Sequence, residues 1–331
     1  VQRTYIHPHD DLNVRQAITR TIAKHLQPGN HHSWSNYDYD LTGAYFHNAD
    51  FTRCVFRGTI EFANAHFDGQ HTSFANTEFH GTRTSFQRAR FYGDQASFVQ
   101  ARFHSPFTSF SQVQFHSNRA AFDESEFRGE RTVFSRARFY SDWTSFIQAQ
   151  SHGGMTFSAA RFDGETTTFG SARFAGPYTE FYGSLFAGKT TTFVNAQFRS
   201  PRTSFVKTQF NAVSTSFRLA LFCGTRTMFH EAWFTSAKTT FNAAQFHSDR
   251  TEFHESRFFS NSTSFENVEF RGKSTRFAEV DFGDGVTSFD NPVSWNDVYF
   301  DWDPPIPYAV TASQPANVIP HNWPPTTIPL P

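Results

Sequence analysis

Sixteen histidines and two cysteines are the residues of this chain best suited to hold a metal or attack a substrate. Their spacing supports neither use. The tightest histidine groups, His7-Pro8-His9 and His31-His32, have no cysteine or carboxylate at the separations that close a zinc shell. No nucleophile elbow, phosphate-cradling glycine loop or His-Glu-x-x-His stretch is present. Gly-x-x-Thr recurs, but at a fixed interval, as a turn of a repeat. The carboxylates are scattered and periodic. The chain is therefore expected to be no enzyme and to use no cofactor and no metal.

Composition narrows the classes further. Phe occurs 44 times and Leu only 7 times, an inversion of ordinary core usage. A repeated structural slot that accepts only Phe produces it. Two Cys exclude a disulfide framework. A net charge of −1 argues against a polyanion binder, so no direct nucleic-acid binding is expected. No apolar run reaches the roughly 18 residues of a membrane span, and no signal-peptide pattern opens the chain. A cytoplasmic protein is expected. The chain does not begin with Met, so a fragment or a processed chain is expected as well.

Three zones follow along the chain. Residues 1–38 form an N-terminal capping segment with a helix over about 11–26, started by Asp10 or Asp11 and stopped by Gln27-Pro28-Gly29. Val14, Ile18, Ile22 and Leu26 make its apolar stripe. Residues 39–290 are periodic. Tyr39 to Gly58 reads as four consecutive five-residue units, each with a large apolar residue at its centre. From Phe74 onward the Phe residues (Phe79, Phe86, Phe91, Phe98, Phe103) alternate in steps of five and seven, within a twelve-residue unit Thr-Ser-Phe-x-x-Ala-x-Phe-x-Gly-x-x. One residue is deleted between Phe146 and Phe157, where Ser151 occupies a Phe slot. A fixed period of this length marks a solenoid. Residues 291–331 hold 10 of the 15 Pro and no repeat, and read as a C-terminal cap with a Pro-rich tail. Trp295, Tyr299, Phe300 and Trp302 are expected to cover the open end.

The five-residue units resemble the pentapeptide-repeat family, whose motif is Ala-Asp/Asn-Leu/Phe-x-x. Ala49-Asp50-Phe51-Thr52-Arg53 matches it fully, while Ala89-Arg90-Phe91-Tyr92-Gly93 keeps the Ala and Phe and loses the Asp. The Phe-rich, twelve-residue-period form resembles a subgroup common in actinobacteria. The resemblance implies an all-β solenoid, a right-handed quadrilateral parallel β-helix of four five-residue faces. Its central residue, and the small residue two before it, point inward.

Twelve residues make only two such faces, so one coil should take about 24. A twelve-residue coil is too narrow for two inward Phe rings. The columns agree. The residue before the first Phe of alternate units reads Ser73, Ser97, Ala121, Ser145, Thr168 in one set and Ser85, Ser109, Val133, Thr156, Glu180 in the other. Two residues after that Phe, one set begins Asn76, Gln100, Glu124, and the other Arg88, Gln112, Arg136. Alternate units thus occupy different faces. Thr84, Thr108 and Thr132 fall at the inward small position and are expected to be hydrogen-bonded internal hydroxyls, not an ice-binding ladder.

Two outward features invite a functional reading. One column runs His80, His104, Arg128, His152, and is either an anion-attracting stripe or a solvated corner. Leu185 and Trp233 share another column, two coils apart, with Leu219 and Leu221 on other faces of the same axial zone. These four are the candidate protein-binding residues. The leading expectation is a non-enzymatic scaffold or binding solenoid, with a protein partner or self-association. The quinolone-resistance branch of the resembled family mimics DNA and binds DNA gyrase, which needs a strongly acidic rod. Here Arg250 to Asp303 holds 11 Asp+Glu against 5 Lys+Arg, a net of −6 that leaves the rest at +5. A third reading is a soluble domain of a larger membrane-linked signalling protein. The Val14-Arg15-Gln16-Ala17-Ile18 helix motivates it, because it resembles segments that precede the repeats in related actinobacterial proteins.

Overall fold

A computed structural model describes residues 10–305 and 309–328. The histidine pair His7 and His9 lies outside them. One helix, Asp10–His25, precedes a stack of parallel strands, each two to four residues long. The strands form four parallel walls of 12, 11, 11 and 10 members. Following the chain round one coil, wall I carries His71–Ser73, wall II Glu78–Phe79, wall III Arg83–Ser85 and wall IV Arg90–Phe91. Gln95 pairs with Arg119 and Phe107 with Arg131, each one coil further along the chain. The Arg88 guanidinium likewise donates to Gln112 at the same corner of the next coil, a sequence separation of 24. The first coil is shorter, with Tyr45 opposite His66, because its units are still five residues long.

Phe98 stacks on Phe74 at 5.1 Å and on Phe122 at 4.8 Å, with the rings within 7° of parallel. Phe86 meets Phe74 and Phe98 edge-on, at 83° and 89°. It stacks instead on Phe62 and Phe110 in its own column. Four Phe columns therefore fill the interior. Each ring gains offset stacking along its column and edge contacts across it, the two arrangements favoured by the aromatic quadrupole. At the deletion Arg131 pairs with Gly154 and Gln150 with Arg173, one position short of a full coil, and the register continues. Ser151 sits buried between Phe127 and Phe174 and bonds to the Gly153 carbonyl. Met155 is buried on the neighbouring wall, between Thr132 and Thr179.

The corners explain the outward columns. Asn76, Arg88, Gln100 and Gln112 each have φ of 57°, a left-handed backbone that β-branched residues resist. Each keeps its N–H bonded to the next coil, as from Arg88 to the Ser111 carbonyl at 2.9 Å. The Ser/Thr column beside it turns the chain into that corner. The Ser73 hydroxyl accepts from the Ala75 N–H, and the Ser109 hydroxyl from the Ser111 N–H.

The inward threonines correct a sequence expectation. Thr84 shares a hydrogen bond with Ser105 at 2.8 Å, and Thr227 with Ser248. Thr72, Thr108, Thr203 and Thr251 have no partner among the described residues. The partner is the corner residue 21 positions on, and there these four meet Gly93, Gly129, Gly224 and Gly272. Glycine fits this corner tightly, since a Cβ on Gly129 would stand 1.8 Å from the Ser105 carbonyl oxygen. Thr84→Val should therefore cost about 1–2 kcal/mol by orphaning Ser105, whereas Thr108→Val should be neutral or stabilising. Urea melts of the two variants check the contrast, and equal losses would refute it.

Both ends are covered. The helix closes the first coil with Ala23 and Leu26, and Val55 donates to the Leu26 carbonyl at 2.9 Å. Its packed face runs through Thr19, Ala23 and Leu26, with Ile22 alongside. Val14 and Ile18 are each 54% exposed, so the stripe expected from the sequence is only half used. Half-buried Leu12 and Gln16 continue the packed face toward the helix start, and the Arg15 guanidinium lies 5.6 Å from the Tyr45 ring centre, so Val14 and Ile18 fall on the opposite side of the helix. At the far end Trp295 continues wall II, Val298–Phe300 continues wall III and Val318–Ile319 continues wall I. Trp302 stacks on Phe300, and Trp323 meets the same ring edge-on. The Pro-rich segment thus seals the end of the rod.

Candidate binding surface

Because strands alternate inward and outward, every wall presents fixed outward columns. Wall IV and its corner with wall III carry three. The corner column begins Asn64, Arg88, Gln112, Arg136 and ends Lys207, Glu231, Glu255, Glu279, all left-handed. The middle column runs His66, Arg90, Gln114, Arg138, Arg161, Leu185, Gln209, Trp233 and Arg257. The third holds a stack of Tyr92, His116 and Tyr140 with ring centres 5.0 and 4.7 Å apart.

In the first half of the rod the corner and middle columns line a groove of about 570 Å³ containing Arg88, Arg90, Arg136, Arg138 and Arg161, and no carboxylate. Only Arg161 has an acidic partner among the described residues, Asp163. Burial, then the Arg90 charge, push the His116 imidazole below its ordinary value. The equivalent groove at the wall I–II corner mixes Arg102 and Arg173 with Glu124 and Glu126. The repeat therefore does not demand arginine at such positions. Toward the other end the same corner turns acidic. Glu231, Glu255 and Glu279 stand in successive coils, and His254, Glu255 and Glu279 bring three potential ligand atoms within 4.8 Å of one another. Lys207 reaches Glu231 at 3.5 Å and His254 reaches Glu255 at 3.2 Å. Glu279 has no basic partner among the described residues.

No family model, curated protein or solved structure matches this chain. The surface must be read from its own geometry.

The four candidate residues separate into two pairs. Leu185 and Trp233 share wall IV, with Gln209 between them. Leu221 belongs to wall II, between Gln197 and Gln245. Leu219 occupies the adjoining wall I–II corner at φ 59° and is 44% exposed. Wall II follows two corners after wall IV, so the pairs face opposite sides and cannot form one patch. Trp233 is 39% exposed, and the Arg257 guanidinium covers one of its ring faces at 4.6 Å. The C-terminal segment pairs with wall I at the end of the rod and leaves Trp233 open.

The histidine column is partly neutralised, with His104 stacked on His80 at 4.4 Å. His80 bonds Glu78 at 2.9 Å, Arg128 pairs with Glu126, and both His247 and Arg271 reach Glu269. Sequence reasoning missed the arginine groove, although the corner column that reveals it was visible as Arg88, Gln112, Arg136. Recognising it as a site needed the middle column beside it. Cys54 is no nucleophile, because burial pushes its thiol up to about 12.

Proposed function

We propose that this chain is a non-enzymatic pentapeptide-repeat solenoid that works as a cytoplasmic scaffold, presenting wall IV as a protein-binding surface. One observation carries the reading. The fold prescribes every inward residue, yet Tyr92, Tyr140, Trp233 and Phe259 remain exposed on this single wall beside arginines without acidic partners. Exposed aromatics and arginine are what binding hot spots use. Gyrase mimicry needs an acidic rod, and the arginine groove is its opposite over half the length.

Trp233→Ser tests the reading. The melting temperature should move by no more than about 2 °C, because losing the Arg257 contact costs only about 0.5–1 kcal/mol. Complex formation through wall IV should fall. A lowered melt with unchanged association would make Trp233 a structural residue and remove the proposal.

A further inference from the structure

Deepening the proposed binding role of wall IV, and resting on it, we infer that the wall is the interface of an antiparallel homodimer, with a two-fold axis crossing the coil of Gly183, Leu185 and Ala187. The wall is basic and free of carboxylates over the coils of Arg88 to Arg138, and acidic at its corner over those of Glu231 to Glu279. A surface whose two halves carry opposite charge is self-complementary when a second copy lies on it reversed.

The register then follows from counting coils. When two faces meet about a two-fold axis lying along the strands, each column faces its own copy with the coil order reversed. Gly183 stands four coils from both Arg88 and Glu279, and two coils from both Arg136 and Glu231. With the axis there, Arg88 faces Glu279 of the second copy and Arg136 faces its Glu231. In the middle column Arg90 faces Asp281, which bridges to Arg257 and so belongs to this wall. Arg138 faces Trp233 on the ring side opposite its own Arg257, and Leu185 faces Leu185. In the third column exposed His116 faces Phe259, itself 42% exposed, and Ala187 faces Ala187. No like charges oppose one another in any column. Moving the axis by half a coil sets Arg90 or Arg138 against Arg257, so neighbouring registers are penalised. Parallel packing would put Arg90 on Arg90 and Arg138 on Arg138.

The size suits a specific pair. Nine coils at about 4.8 Å and three columns at about 6.6 Å give a footprint of roughly 850 Å² per copy, the standard interface range. The centre is small and apolar (Gly183, Leu185, Ala187) and the flanks are charged, the usual core and rim of an interface.

Sedimentation of the full chain, together with a cross-linking series, tests the inference. In a Cys223→Ser background, Leu185→Cys should be joined to its own copy by a short bismaleimide, because only residues on the axis meet themselves. Glu231→Cys alone should not be joined, but should link to Arg136→Cys when the two chains are mixed. Arg136→Glu should weaken the dimer by about tenfold or more, since the two-fold repeats the lost contact. Adding Glu231→Arg should restore it. A chain that stays monomeric to its highest soluble concentration overturns the inference, as does a double variant that fails to recover. If Trp233→Ser still abolishes capture of another protein in those cases, the binding role of wall IV stands and only the second copy falls. If it does not, both fall.

Discussion

Phe110→Ala should destabilise the rod by about 3–5 kcal/mol, among the largest effects of any single substitution. The ring is fully buried. It stacks on Phe86 at 4.9 Å and Phe134 at 4.7 Å, and meets Phe98 and Phe122 edge-on at 5.4 and 5.5 Å. Removing it deletes the transfer energy of the side chain and leaves a gap that the neighbours cannot close. Their strands are held in place by backbone pairing to the coils on both sides. Stacking geometry adds about 0.5–1.5 kcal/mol to the loss. Urea unfolding at constant slope measures it. A loss below about 1 kcal/mol would mean that the adjacent rings collapse into the space. The chain already contains one such interruption at Ser151, where a residue was also deleted and Met155 entered the core. Phe110 has neither compensation.

Trp323→Ala should release the C-terminal end of the rod. The indole lies 4.9 Å from Phe300 and 5.5 Å from both Trp295 and Trp302, and its N–H donates to Asp303 at 3.0 Å. It anchors the segment that pairs Val318 with Thr287, while the Asn317 amide donates to three carbonyls of the last coil. We expect a cost of about 3 kcal/mol, concentrated in the last coils because a solenoid couples mainly nearest neighbours. Amide exchange should accelerate over Val286–Phe300 and stay slow around Phe110. Light scattering should rise as the uncovered strand edges pair end to end. Uniform acceleration along the chain would show that the rod opens as one unit. Unchanged exchange would remove the capping role.

How much was legible beforehand can be judged residue by residue. The Phe spacing and the two alternating columns established the length of the coil, since a slot that repeats identically must face an identical environment. The terminal caps were recognisable because the period stops where the aromatic and proline residues gather. The helix stripe was only half right: Val14 and Ile18 satisfy helical spacing, but spacing does not say which face of the helix meets the coil, and the packed face runs through Gln16, Thr19 and Ala23. At Thr72, Thr108, Thr203 and Thr251 the hydroxyl network was wrong because a glycine stands at the corner that faces the threonine. The two are distant in sequence and meet only through the stacking of one coil on the next.

The sequence by itself determined the repeat, the inward residues and the size of the coil, because burial acts on each unit in the same way. Tertiary structure decided which outward residues are neighbours. Leu185 and Trp233 come together while Leu219 and Leu221 turn to the opposite side, because four corners per coil send nearby residues to different walls. The same stacking gathers Arg88, Arg90, Arg136 and Arg138 into one groove and sets Glu231, Glu255 and Glu279 farther along the same edge. A one-dimensional charge count averages these to −1, and only their placement in space separates them.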